Sequence, residues 1–224
     1  MKLNETNNHI WVVIPAYNEE KKISALLKKV KKFVKNIIVI DDGSSDNTYD
    51  VVKKESIHVL QHIVNMGKGA ALKTGCEFAI RNGAKILIVI DADGQHDPAE
   101  IPKFIDNIKN NEVVFGYRCF NKRMPIILRY GNLFISKSAQ LLFGIKLRDT
   151  QCGYRAFTKE AYRKIKWKAS DYSVESEMIA NVGKYHLKYK QIPIQTIYSD
   201  KYKGTTLFDG IKIVFNMFLW KIGF

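Results

Sequence analysis

Cysteine is scarce in this sequence, with Cys76, Cys119 and Cys152 scattered through 224 residues. An odd, unclustered set gives no disulfide framework and no metal-ligand spacing, and it fits a reducing compartment. Acid is also short: 22 Asp and Glu face 36 Lys and Arg, for a net charge of +14. That excess points to an anionic partner, whether nucleic acid, a membrane face or a phosphorylated substrate. Nucleic acid is disfavoured, because no zinc spacing, RNA-binding aromatic motif or helix-turn-helix pattern occurs. No apolar run reaches the ~20 residues that span a bilayer. The early apolar run at Ile10–Pro15 is too short for a signal peptide. Internal repeats and low-complexity segments are lacking too.

What the sequence does have is rhythm. Hydrophobic residues make up 46%, enough for a globular core. Strand-like segments at 10–14, 36–40, 57–61, 85–90 and 112–117 alternate with helix-like ones at 19–34, 45–54, 68–81 and 99–110. This βαβα order predicts a mostly parallel sheet with helices on both faces. After Arg118 the rhythm changes. Residues 124–147 are apolar with interspersed basic residues, 152–158 and 189–197 read as strands, and 174–184 as a helix. Residues 207–224 close the chain as a helix rich in Ile, Phe, Met and Trp, so the expected division is 1–206 plus a C-terminal amphipathic helix over 207–224. The 124–145 and 210–224 segments suit helices lying in a membrane interface, the alternative being core helices packed on the sheet.

Polar turns follow the strands. The most informative is Ile86-Leu87-Ile88-Val89-Ile90-Asp91-Ala92-Asp93-Gly94-Gln95-His96. A buried parallel strand here ends in two carboxylates, at the sheet edge where open α/β folds bind ligands. Two hard oxygen ligands so close suit Mg²⁺ or Mn²⁺ and, through the ion, a substrate's phosphates. Asp97-Pro98 reads as a helix cap. Pro15-Ala16-Tyr17-Asn18-Glu19 offers a ring to stack on a base and a carboxylate to accept from it. Asp41-Asp42-Gly43-Ser44-Ser45-Asp46 places a carboxylate where ribose is commonly bound. Asn65-Met66-Gly67-Lys68-Gly69-Ala70 opens a helix, a site that favours an anion. Each turn taken singly is as readily a cap; four along one edge are not.

In this order, together with Gly116-Tyr117-Arg118 and Asp149-Thr150-Gln151-Cys152-Gly153-Tyr154-Arg155, the motifs resemble those of glycosyltransferase family 2. The likeness is strongest to its dolichyl-phosphate mannose and glucose synthase branch. It covers about Val12 to Ile197. The resemblance implies a GT-A, Rossmann-like fold, a nucleotide-sugar donor, a divalent metal and inversion at the anomeric carbon. It assigns Pro15, Tyr17, Glu19, Val39 and Asp41 to the nucleotide. Asp91, Ala92, Asp93 and Gln95 fall to the diphosphate and metal, with Asp91, Asp93 and Gln95 as the metal set. Arg118 is assigned to the donor phosphates or the acceptor. The late Arg-x-x-Gly-x-Ser-Lys run of the mannose enzymes is altered here to Lys201-Tyr202-Lys203-Gly204-Thr205-Thr206-Leu207, which leaves Lys201 as the candidate phosphate contact and mannose in doubt.

The expected reaction is hexose transfer from GDP-mannose or UDP-glucose to a polyprenyl or dolichyl phosphate, by a peripheral protein on the cytoplasmic, inner face of a membrane, with a homo-oligomer open. Asp93, Arg118 and Asp149 are the catalytic candidates. An acceptor phosphate is already an oxyanion and needs cations, which Arg118, Arg123, Arg129, Lys137, Arg148 and Arg155 supply. A hydroxyl acceptor, as in surface polysaccharide synthesis, instead needs a base, for which Asp149, Glu175 and Glu177 are candidates. Asp149 alternatively pairs with Arg155 or caps a loop. A non-catalytic nucleotide-binding, membrane-docking protein is the more distant alternative.

Overall fold

The computed structural model describes residues 8–118, 126–171, 173–195, 197 and 207–222, with backbone alone for 126–130 and 207–211. Strands β1 (Ile10–Ala16), β2 (Asn36–Asp41), β3 (His58–Gln61) and β4 (Ile86–Val89) run parallel in the order β3-β2-β1-β4. Helices α1 (Ile23–Val30), α2 (Thr48–Lys53) and α3 (Lys68–Arg81) make the crossovers. Alternate residues of β1 serve opposite layers. Trp11 and Val13 pack with α3, while Ile10, Val12 and Ile14 pack with α1. The sheet is therefore covered on both faces, and its strands can be apolar throughout.

Helix α4 (Ile101–Ile108) leads to β5 (Val113–Arg118), and α5 (Ile126–Phe143) follows. Next come β6 (Arg155–Thr158) and α6 (Lys159–Ile165), then α7 (Val174–Lys184), β7 (Tyr189–Ile194) and α8 (Leu207–Ile222). Here the simple parallel expectation needs refinement. Strand β6 inserts between β4 and β5 and runs antiparallel to both, giving β3-β2-β1-β4-β6-β5-β7. No helix is expected from the sequence at 159–165. Thr158 starts one there, its hydroxyl accepting from Ala161 N at 3.1 Å, and such a cap stabilises a helix by ~1 kcal/mol.

The two apolar segments of the second half form helices with two faces. On α5, Ile135 and Ala139 enter the core, whereas Leu133, Phe134 and Leu141 are exposed. On α8, Ile213 and Met217 are buried in the same core, and Phe215, Phe218 and Ile222 face out. Among the described residues no helix is long and apolar enough to cross a membrane.

Candidate active site

Strand β4 delivers Asp91 to the sheet's C-terminal edge, where Ile90 N still donates to Val13 O at 3.2 Å. Gly94 then turns the chain at φ +74°, a left-handed conformation that favours glycine. The turn is closed by Gln95 N, which donates to Asp93 Oδ1 at 2.9 Å. Lys22 Nζ donates to Asp93 O at 3.0 Å. Asp97 caps as expected, accepting from Ala99 N at 3.1 Å.

Asp91 is held from three sides. Lys68 Nζ lies 2.7 Å from its Oδ1, and the same ammonium lies 2.6 Å from Glu175 Oε1 on α7. His96 Nε2 stands 3.6 Å from Asp91 Oδ2. Gly153 closes the third side, and a Cβ there would overlap the Asp91 carboxylate. Burial pushes the Asp91 carboxyl up, but Lys68 and His96 outweigh it and hold the pKa below its ordinary value. Asp93 goes the other way, because burial and the Asp91 charge both raise it. Two neighbouring carboxylates, one of which resists ionising beside the other, fit a divalent cation that would bind both. Among the described residues no group of three His, Cys, Asp and Glu side chains converges. An ion here would take two carboxylates from this chain and further oxygens from elsewhere. Gln95, expected as a third ligand, touches Asp93 through its backbone N–H.

On the nucleotide side, Asp41 ends β2 fully buried. Its Oδ2 accepts from Gln61 Nε2 at 2.9 Å, and its Oδ1 accepts from the Ser44 hydroxyl and backbone N–H. Tyr17 is exposed on the turn after β1, which adjoins the end of β2 through Asp42 N donating to Ala16 O at 2.8 Å, and Glu19 is buried with its N–H donating to Thr48 Oγ1 at 2.8 Å. Three residues assigned to the ligand lie in the scaffold. Val39 is fully buried and paired with Ile14 and Val59 in the ladder. Ala92 is core, and Pro15 is buried opposite Ile40. Val39 thus turns its side chain into the core two residues before Asp41. Lys201, Arg123 and Lys203 lie outside the described residues.

Arg118 ends β5 and grips Asp149. Its Nε lies 2.6 Å from Oδ2 and its Nη2 3.0 Å from Oδ1. Asn132 Nδ2 and Gln151 N also donate to Asp149 Oδ1, at 2.9 and 3.1 Å. Burial pushes the Asp149 carboxyl up, yet Arg118 overrides this and keeps it low. The partner of Asp149 is therefore Arg118, not Arg155. Arg155 is 1% exposed and donates to the carbonyls of Cys152, Thr150 and Glu175 at 2.9, 2.9 and 2.7 Å. It is a structural cation, which removes it from the supply expected for an acceptor phosphate. Glu177 accepts from Lys168 N and Ala169 N at 2.9 and 2.8 Å.

The helix start at Asn65–Ala70 does receive an anion, but from within the chain. Asp42 accepts from Met66 N at 3.0 Å and Gly67 N at 2.8 Å, and Gly69 N donates to Ser170 O at 2.7 Å. Lys68, in the same turn, is a site residue that the sequence motifs do not single out. Its signal was there: a cation in the first turn of a helix opposes the helix dipole and calls for a strong acidic partner. Gly153→Ala tests the close approach to Asp91. The variant is expected to displace that carboxylate and to lower any activity that depends on it roughly 10²-fold, while its far-ultraviolet circular dichroism stays unchanged.

Residues 11–166 match Glycosyl transferase family 2, and the chain belongs to that family. It is 41% identical over 233 residues to an uncharacterized protein of Methanocaldococcus jannaschii, covering 99% of this chain and 96% of that one. It is 36% identical over 242 residues to a UDP-N-acetylglucosamine–dolichyl-phosphate N-acetylglucosaminyltransferase of Methanococcus voltae, covering 96% of each. Among solved structures, glucosyl-3-phosphoglycerate synthase of Mycobacterium tuberculosis, in complex with Mn²⁺, UDP and glucosyl-3-phosphoglycerate, superposes with a TM-score of 0.72 at 19% identity, covering 98% of this chain and 81% of that one. The fold is GT-A, a mostly parallel α/β sheet, as the motif order implied.

Proposed function

We propose that this protein transfers a sugar from a nucleoside diphosphate sugar to a polyprenyl or dolichyl phosphate, acting peripherally at the cytoplasmic face of a membrane. The observation that carries the acceptor class is the state of the three base candidates. Asp149 is locked to Arg118, Glu175 to Lys68, and Glu177 to two backbone N–H groups. A hydroxyl acceptor needs a carboxylate ready to take its proton. A phosphate monoester arrives with its oxygen already anionic and needs only positioning and charge compensation. The Methanococcus voltae relative, named for a dolichyl-phosphate acceptor, supports the same choice and adds UDP-N-acetylglucosamine to the donors to be tried beside UDP-glucose and GDP-mannose.

Asp91 and Asp93 are the residues that would hold Mg²⁺ or Mn²⁺; when bound, the ion neutralises the departing diphosphate as a Lewis acid. The chain's own groups do the rest. Asp41 sits at the ribose side of the edge, Tyr17 offers its exposed ring to the base, and Glu19 lies behind it. Asp149 holds the Arg118 guanidinium in one orientation, ready for the donor phosphates or the acceptor. In this reading Asp149 is a positioning residue rather than a proton acceptor. Lys68 keeps Asp91 ionised and aimed.

Purified protein with Mg²⁺ or Mn²⁺ and polyprenyl phosphate is expected to consume one of the three donors and yield a glycolipid labile to mild acid. No consumption with any donor would overturn the proposal. A product stable to mild acid would favour the hydroxyl-acceptor reading, because glycosyl phosphates hydrolyse readily.

A further inference from the structure

The exposed apolar side chains of this protein are not confined to α5 and α8. Ile63 is 100% exposed, Val64 64% and Met66 54%. All three lie in the connection from β3 to α3, at the sheet edge that also carries Asp41 and Asp91. The knuckle they form is firmly anchored from below. His62 Nδ1 lies 2.7 Å from Asp42 Oδ1 and its Nε2 3.0 Å from Thr74 Oγ1. Met66 and Gly67 give their N–H groups to the same Asp42. Polar atoms are thus satisfied on the inner side, and the apolar tips are left outside.

A second apolar element stands close by. Gly67 and Gly69 close against Ser170 and Ala169. The next residue, Asp171, binds Lys212 of α8 at 2.8 Å. From Lys212 the exposed residues Phe215, Phe218 and Ile222 continue along α8 at helical spacing. Lys221 is exposed on the same helix, and Lys168 is exposed just before Ala169. Apolar tips fringed by lysine fit an anionic lipid surface. A protein–protein interface would be depleted in lysine.

We infer that the His62–Met66 knuckle inserts into the headgroup region of an anionic bilayer beside the outer stripe of α8. The inference rests on the lipid-phosphate reading above and deepens it. A phosphate carried on a lipid waits at the bilayer surface, and the knuckle brings the Asp41–Asp91 edge down to that level.

The test uses the full chain and phosphatidylcholine vesicles with and without phosphatidylglycerol, followed by sedimentation. Wild type is expected to sediment with the anionic vesicles. Ile63→Asp combined with Val64→Asp is expected to reduce the bound fraction at least about tenfold, since each apolar tip withdrawn from lipid forfeits a sizeable transfer free energy. Ile63→Ser alone should give an intermediate loss and guards against a folding defect in the double variant. Affinity for UDP by calorimetry, and KM for a short, water-soluble prenyl phosphate, should stay within about twofold of wild type, because the knuckle meets the Asp41–Gly43 turn through His62 and through backbone, whereas the Ile63 and Val64 side chains are exposed. Variants that sediment like wild type overturn the inference, as does a wild type that binds no anionic vesicles. A variant that loses UDP affinity but keeps vesicle binding also overturns it, by making the knuckle part of the nucleotide site. If wild type consumes no donor, the transfer reading fails while the vesicle comparison still decides this one.

Discussion

Asp93→Asn is expected to lower sugar transfer roughly 10³-fold, a loss of ~4 kcal/mol of transition-state stabilisation. Asn keeps the shape of the side chain and removes the charge that a divalent cation requires. The fold should not suffer. Asp93 is half-buried beside Asp91, and both the partial burial and the Asp91 charge raise its carboxyl pKa. Such a group opposes folding once pH is above its unfolded value of 3.8, because the folded state must then hold the charge where it is disfavoured. In metal-free buffer at pH 7 the variant should therefore melt no lower than wild type. Any gain should vanish as the pH falls below that unfolded value, where both states carry the proton. Added Mn²⁺ should raise the melting temperature of wild type and leave the variant unmoved. Turnover by Asp93→Asn at half the wild-type rate or better would remove Asp93 from the site.

Arg155→Ala is expected to be the most damaging change to stability, by about 3–5 kcal/mol. Its guanidinium holds three backbone carbonyls, of Thr150, Cys152 and Glu175. Truncation leaves those acceptors buried without donors and opens a cavity. The melting temperature should fall by roughly 10 °C, taking ~2–4 °C per kcal/mol for a chain of this size. Arg155→Lys should recover only part of the loss, because one ammonium cannot reproduce the planar fork. Thermal unfolding of the purified variants decides this. A melting temperature within a few degrees of wild type would show that the carbonyls find other partners.

The first half of the fold was readable because each βα unit carries its own signals. Apolar runs end in Asp or Gly turns, and helices begin at recognisable places. The site's acidic edge was readable for the same reason, since Asp41, Asp91 and Asp93 each sit just past a strand. The second half was harder. Strand β6 is short, and nothing local says that it inserts between β4 and β5 in the reverse direction. That placement decides the pairings of charge. Arg118 with Asp149 and Lys68 with Glu175 join residues 31 and 107 positions apart. Such partners are chosen by tertiary geometry rather than by spacing along the chain. The role of Arg155 shows the cost of counting cations from composition, because burial alone takes it away from any ligand. Asn65–Ala70 shows a different limit. A helix start that favours an anion is visible in sequence, but whether a substrate or the protein's own Asp42 fills it is not.

The insertion of β6 also governs how this protein must emerge from a ribosome. Strand β4 ends at Val89, and its remaining neighbour begins at Arg155, 66 residues later (155 − 89). At ~5–20 residues per second, translation leaves that border open for roughly 3–13 s. During the wait β4 presents unsatisfied backbone to any other extended peptide nearby. Strand β5, made in the interval, does not shield it, because among the described residues β5 pairs with β6 and β7 and not with β4. Polysomes crowded with nascent copies are where this chain is most open to mispairing.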